Sequence, residues 1–210
     1  MRVQQASERH KATTLTDFLR PYFKGLFEPI AAFLNRIGLM PNTVTILGLV
    51  GNTIGAYFLA SGQMTIGGLV ILVMGPIDAL DGTMARLRGE PSEFGAFVDS
   101  VTDRYSELVI FGGLLYYYIQ RGEILPVVLA YAAAAGSVLV SYVRARAQSL
   151  GHETKVGILT RFERYLVLVP GLVFNIPQVS LWILAVLANL TAIQRIVDVR
   201  RKVRRQNRTG

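Results

Sequence analysis

Cysteine is absent from the 210 residues, which excludes disulfides and thiolate metal sites. Histidine is nearly absent, and His10 and His152 both sit in polar segments, where they read as solvated side chains and not as ligands. Charged residues make up only 17% of the chain, against 51% hydrophobic residues and a mean hydropathy of +0.40. No repeat recurs at a fixed period. The polar Met1–Lys11 start lacks an apolar stretch ending in small residues, so no removable signal peptide is expected. The single tryptophan, Trp182, and the run Tyr116, Tyr117, Tyr118 suit interfacial belts and need no cofactor role.

What is present is a series of apolar blocks roughly twenty residues long, the length that crosses a ~30 Å hydrocarbon layer. The expected fold is therefore all-α, a polytopic membrane protein with six transmembrane helices: Val44–Leu59, Thr65–Leu87, Phe94–Ile119, Ile124–Gln148, Ile158–Phe174 and Val179–Val199. Upstream, Phe18, Leu19, Tyr22, Phe23, Leu26, Phe27, Ile30, Phe33 and Leu34 recur at helical spacing beside Arg20, Lys24 and Arg36, the pattern of an interfacial amphipathic helix. The organisation expected is a polar start with this juxtamembrane helix over 1–37, a six-helix catalytic unit over 38–199, and a basic tail over 200–210, its polar ends loosely ordered.

Of the 22 Lys and Arg, Arg121 alone falls in the three short turns on one side, at 61–63, 120–123 and 175–178. Positive charge inside then places an integral cell-membrane protein with both termini facing the cytoplasm. The net charge of +8 and pI near 10.0 do not imply nucleic acid as a partner, because the basic residues flank spans instead of forming a soluble basic face. The tail, Arg200, Arg201, Lys202, Arg204, Arg205 and Arg208, is read as contacting anionic membrane lipid.

Four aspartates interrupt the apolar pattern. Asp78 and Asp81 share one helix face and Asp99 and Asp103 another, so two antiparallel helices bring four carboxylates to one point on the cytoplasmic side. Ionised carboxylates near a bilayer each cost about 2.5–3.5 kcal/mol and repel one another, so the cluster calls for cations. Oxygen-only ligands favour Mg2+, Mn2+ or Ca2+. Pro76, two residues before Asp78, removes a backbone donor and is expected to kink its helix.

From Asp78 the spacing runs D-x2-D-G-x2-A-R-x8-G-x3-D-x3-D through Asp81, Gly82, Ala85, Arg86, Gly95, Asp99 and Asp103. This resembles the signature of the CDP-alcohol phosphotransferases at every fixed position. The resemblance implies a transferase of phospholipid biosynthesis that moves a phosphatidyl group from a CDP-linked lipid, of the CDP-diacylglycerol type, to a polar alcohol, releasing CMP. It implies divalent metal, Mg2+ or Mn2+ and two ions, on Asp78, Asp81, Asp99 and Asp103, with Asp103 also the catalytic base. It further implies CDP-lipid contacts from Asn42, Thr43, Val44, Thr45, Gly82, Arg86 and Ser92, and a homodimer. Gly82 and Ala85 allow close backbone approach, and Arg86, four residues past Gly82, shares its face with forked donors suited to a phosphate.

Arginines also gather at the cytoplasmic span ends: Arg144 and Arg146, Arg161 and Arg164, and Arg195. Converging guanidinium groups suit a phosphate monoester on the acceptor. The pattern is similar to the inositol phosphate branch of the family, which maps the acceptor-phosphate site to Arg144, Arg164 and Arg195. The rival acceptor is glycerol 3-phosphate, as in a phosphatidylglycerophosphate synthase. An ion transporter or channel is the alternative of another class, since membrane carboxylates also mark ion pathways; it is disfavoured because the acidic residues lie at one face only.

Overall fold

The computed structural model describes residues 15–89, 92–154 and 156–209, with no account of the side chains of 15–24, 26, 78, 79, 208 and 209. Met1–Lys11 and the basic Arg208 side chain thus lie outside what is described. The described residues form seven helices in order: α1 Leu15–Arg36, α2 Pro41–Ala60, α3 Met64–Arg88, α4 Glu93–Gln120, α5 Ile124–Ser149, α6 Arg161–Val173 and α7 Pro177–Thr209. No strand occurs among the described residues.

Local chemistry sets the ends that matter for the site. Pro41 opens α2, where its missing N–H is no loss. Gly89 closes α3 in the left-handed region at φ 70°, its N–H reaching Ala85 and Arg86 carbonyls, so the chain turns sharply after Arg88. Ser92 then caps α4, its hydroxyl accepting from the Gly95 N–H at 2.9 Å.

Among the described residues four helices are long and apolar enough to cross a membrane: α2, α3, α5 and α7. α4 is 28 residues long but carries Glu93, Asp99, Asp103, Arg104 and Glu107. α6 has 13 residues, about 20 Å at 1.5 Å per residue, because residues 158–160 stay outside the helix. The amphipathic pattern before the first span does form a helix, α1. The tail departs from expectation: α7 does not stop near Val199 but continues to Thr209, helped by an Asp198–Lys202 pair at 2.7 Å one turn apart.

The main core gathers Leu59, Ile71, Phe111, Leu114, Leu172 and Leu184, away from the aspartates. α2 and α4 touch backbone to backbone: a Cβ on Gly113 would lie 2.4 Å from the Ala56 carbonyl oxygen. A smaller cluster of Ala31, Val44, Leu80 and Met84 seats α1 against the end of α3 that carries the signature. Arg88 fastens this joint, donating to Asn35 Oδ1 at 2.7 Å and to the Leu39 carbonyl at 2.6 Å, while Asn35 donates to the Met84 carbonyl at 3.2 Å.

The kink-prone Pro76 has a partner in α6. Without an N–H at position 76 the Leu72 carbonyl loses its helical donor, and the Tyr165 hydroxyl donates to it at 2.8 Å, with Ile71 O at 3.2 Å. A Cβ on Gly75 would collide with that ring at 2.5 Å, so glycine makes room for it. Tyr165 thereby ties α6 to α3 just ahead of the first aspartates.

Candidate active site

Asp81 is 7% exposed and its two oxygens are already oriented. The Thr45 hydroxyl donates to Oδ2 at 2.5 Å and the Gly82 N–H reaches Oδ1 at 2.5 Å. Among the described residues no Lys or Arg lies within ion-pair distance of it. Asp99, half-buried on α4, is near enough for its charge to act on Asp81. The Asp78 side chain lies outside the described residues. No three carboxylates among those described stand together closely enough to enclose an ion.

The donor chemistry nonetheless fits a hard divalent cation. Asp81 is buried without a basic side chain in direct contact and near a second carboxylate on α4; the charge of Arg161 reaches both from a distance, and a cation between them would remove the remaining cost. Asp103 is held differently: Arg161 Nη2 lies 2.6 Å from its Oδ1, and Arg104 Nη1 3.5 Å from its Oδ2.

The two α4 carboxylates open onto a cavity of about 280 Å³. Asp99 and Asp103 stand on one wall; Arg144, Arg161, Arg164 and Arg195 supply the others. Three of these arginines differ sharply in freedom. Arg144 is exposed. Arg195 is 2% exposed and commits Nη1 to the Val140 carbonyl at 2.7 Å and Nε to the Val156 carbonyl at 3.0 Å, holding the α5–α6 connection against α5. Arg164, 3% exposed, directs Nε and Nη2 to Glu107 Oε1 at 3.1 and 2.7 Å and leaves Nη1 without a partner.

The other sequence-selected residues lie at the neighbouring helix ends. Arg86 is exposed, donates to Thr83 Oγ1 at 3.0 Å, and passes over Gly82, where a Cβ would sit 3.4 Å from its Nη1. Gly95 faces Ser92 and Asn42: a Cβ there would meet Ser92 Oγ at 2.9 Å and Asn42 Oδ1 at 3.5 Å. Asn42 is half-buried and Thr43 exposed, whereas Val44 belongs to the small core beneath α1 and Thr45 is turned to Asp81.

One side chain of the site, Glu107, has no role in the sequence pattern; it lies four residues past Asp103 and continues its face, and that periodicity is its signal. Arg161, one of the span-end arginines with Arg164, pairs with Asp103. Thr160 precedes α6 and its hydroxyl donates to Glu163, which fixes where both arginines emerge.

These helices, carboxylates and guanidinium groups define a phosphoryl-handling membrane protein, and comparison with known proteins agrees. The sequence profile of the CDP-alcohol phosphatidyltransferase family matches residues 38–194. The chain belongs to that family. It is 37% identical to the phosphatidylinositol phosphate synthase of Streptomyces avermitilis over 95% of this chain and 91% of the relative. A crystal structure of the Mycobacterium tuberculosis phosphatidylinositol phosphate synthase with CDP-DAG bound superposes with a TM-score of 0.78 at 33% identity, covering 82% of this chain and 92% of that one. A second crystal structure of that synthase, with manganese and citrate, has the same TM-score and identity and covers 82% of this chain and 88% of the other.

Proposed function

We propose that this chain transfers the phosphatidyl group of a CDP-diacylglycerol-type lipid to inositol phosphate, with release of CMP. The observation that carries the reading is the shared cavity, in which signature carboxylates Asp99 and Asp103 face Arg144, Arg161, Arg164 and Arg195. Inositol phosphate brings both a hydroxyl to react and a dianion to hold, and this cavity offers a proton acceptor and cations for the two. The named relatives support the same acceptor.

Asp78, Asp81, Asp99 and Asp103 would hold divalent metal, two ions of Mg2+ or Mn2+ on this reading. When bound, such cations screen the diphosphate oxygens and stabilise charge growing on CMP. Thr45 keeps Asp81 turned inward. Arg86, passing over Gly82, holds donor phosphate oxygens near the Asn42 and Ser92 ends of α2 and α4. Arg144 and the spare Nη1 of Arg164 grip the acceptor phosphate, and Arg195 keeps the α5–α6 connection closed around it.

Asp103 takes the proton from the acceptor hydroxyl. The acceptor's hydroxyl oxygen attacks the phosphorus that carries the lipid, a new P–O bond forms, and the bond to CMP breaks. The electron pair leaves with CMP.

In the membrane, α4 and α6 join α2, α3, α5 and α7 to complete six crossings, α1 lies on the cytoplasmic leaflet, and residues 38–199 form the catalytic unit. The family profile, which starts at residue 38 and runs to 194, supports the start of that unit. Exposed Phe97, Val101, Tyr105, Leu108 and Tyr116 on α4 supply an apolar face for a second copy in a homodimer.

The test is a panel of acceptors with labelled CDP-diacylglycerol and purified protein. CMP release should require divalent metal and be fastest with inositol phosphate. Glycerol 3-phosphate outrunning it would transfer the assignment to the rival synthase, and metal-driven ion flux without CMP would point to transport.

A further inference from the structure

Arg164 is a buried cation in cationic company. Its charge and that of Arg144 both act on Arg195, and all three border one cavity. Such a side chain, 4% exposed, cannot keep a fixed direction by charge alone, because its neighbours repel it. The described carboxylate within ion-pair distance of it is Glu107, on α4. Both contacts arrive on a single oxygen, Oε1, from Nε and Nη2, so the carboxylate engages the side edge of the guanidinium. Nη1, at the far corner, is left buried and unpartnered. An unpaired buried donor is costly, and a bound phosphate oxygen would remove that cost.

The register ties this pair to the chemistry. Glu107 is one helical turn beyond Asp103, and Arg164 is three residues beyond Arg161, so α4 and α6 are joined by two parallel rungs, Asp103–Arg161 at 2.6 Å and Glu107–Arg164 at 2.7 Å. The first rung is 44% exposed at its arginine; the second is enclosed. We infer that Glu107 is the positioning residue that aims Arg164 Nη1 at the acceptor phosphate, and so sets acceptor affinity without touching the acceptor. Its orienting oxygen outweighs the electrostatic handicap of a negative charge near a dianion. The inference rests on the acceptor-site reading of Arg164.

The experiment measures KM for inositol phosphate and for CDP-diacylglycerol separately, with melting temperatures in detergent, for Arg164→Ala, Glu107→Ala, Glu107→Gln and the Glu107→Ala, Arg164→Ala double variant. Glu107→Ala should raise the inositol phosphate KM about tenfold, as expected for loss of a charged hydrogen bond, and leave the lipid KM within twofold. The double variant should be no worse than Arg164→Ala, since the carboxylate acts only through the arginine. Glu107→Gln keeps an acceptor oxygen for both donors and should restore the acceptor KM to within about threefold of the parent.

If Glu107→Ala does not fold, Glu107→Asp replaces it. The shorter side chain draws Arg164 back and should raise the acceptor KM alone. Equal rises in both KM values, additive loss in the double variant, or a lowered melting temperature with an unchanged acceptor KM would each overturn the inference. Should Arg164→Ala itself leave the inositol phosphate KM unchanged, the acceptor site lies elsewhere. A rise with Arg164→Ala but none with Glu107→Ala would remove Glu107 alone.

Discussion

The Thr45 hydroxyl donates to Asp81 Oδ2 across 2.5 Å, joining the start of α2 to the signature end of α3. Thr45 also reaches the Pro41 carbonyl at 3.2 Å, so its own rotamer is fixed by the helix it sits on. The residue read in the sequence as a nucleotide contact therefore orients a carboxylate in this structure. Thr45→Val, which removes the hydroxyl at similar volume, should raise the Mn2+ concentration for half-maximal CMP release about tenfold, the usual penalty for losing a group that orients a ligand. Thr45→Ser should retain the parent metal response. Chelation should silence both, and an unchanged Mn2+ titration for the valine variant would refute the coupling.

Gly113 and Gly112 give a paired test of how tightly α2 and α4 meet. A methyl on Gly113 has the Ala56 carbonyl in its way, and backbone cannot step aside. At Gly112 nothing lies within 4 Å. Gly113→Ala should destabilise by about 1–3 kcal/mol, the range for overpacking, whereas Gly112→Ala should be close to neutral. Thermal unfolding in detergent distinguishes them; similar melting temperatures would mean that the two helices are not in backbone contact.

Tyr165→Phe removes a hydroxyl without changing the ring. It should cost about 1–2 kcal/mol, because the Leu72 carbonyl above Pro76 loses the donor that α6 supplies. Adding Pro76→Ala, which restores the helical N–H, should recover most of that loss. Melting temperatures of the two single variants and the double variant check the pairing, and a double variant with additive losses would count against it.

The lack of native cysteine allows topology to be read with single introduced thiols. In right-side-out vesicles a membrane-impermeant maleimide should label Gln120→Cys, in the turn between α4 and α5. Arg146→Cys, near the end of α5, should react only after permeabilisation. The reverse pattern would invert the orientation derived from the positive charges.

Much of the fold was legible because crossing a bilayer imposes length and composition together. The ends of α2, α3, α4 and α5 fall within about three residues of the apolar blocks, as boundary fuzziness allows. The sequence does not show how far α7 runs, since charge marks where a chain leaves lipid, not where a helix ends. Arg, Lys, Gln and Val continue a helix readily, and Asp198 with Lys202 supports it from the side. At the site, spacing exposed the aspartates and the Arg86–Gly82 face, because those relations lie within one helix. The roles of Thr45, Glu107 and Arg195 depend on partners 36, 57 and 55 residues away, and no local pattern carries such distances. Val44 shows the same limit: adjacent to Thr45 in the chain, it turns into the cluster with Met84 instead.

The unbroken run of α7 has a mechanical consequence. Its 33 residues span about 50 Å at 1.5 Å per residue, some 20 Å more than a ~30 Å hydrocarbon slab. The surplus stands as a stiff mast carrying arginines at set heights, anchored at its foot where Lys202 donates to the Glu153 carbonyl of the α5–α6 connection. Lys202 at the foot of the mast and Arg195 lower on the same helix thus hold one strip of chain, at Glu153 and at Val156.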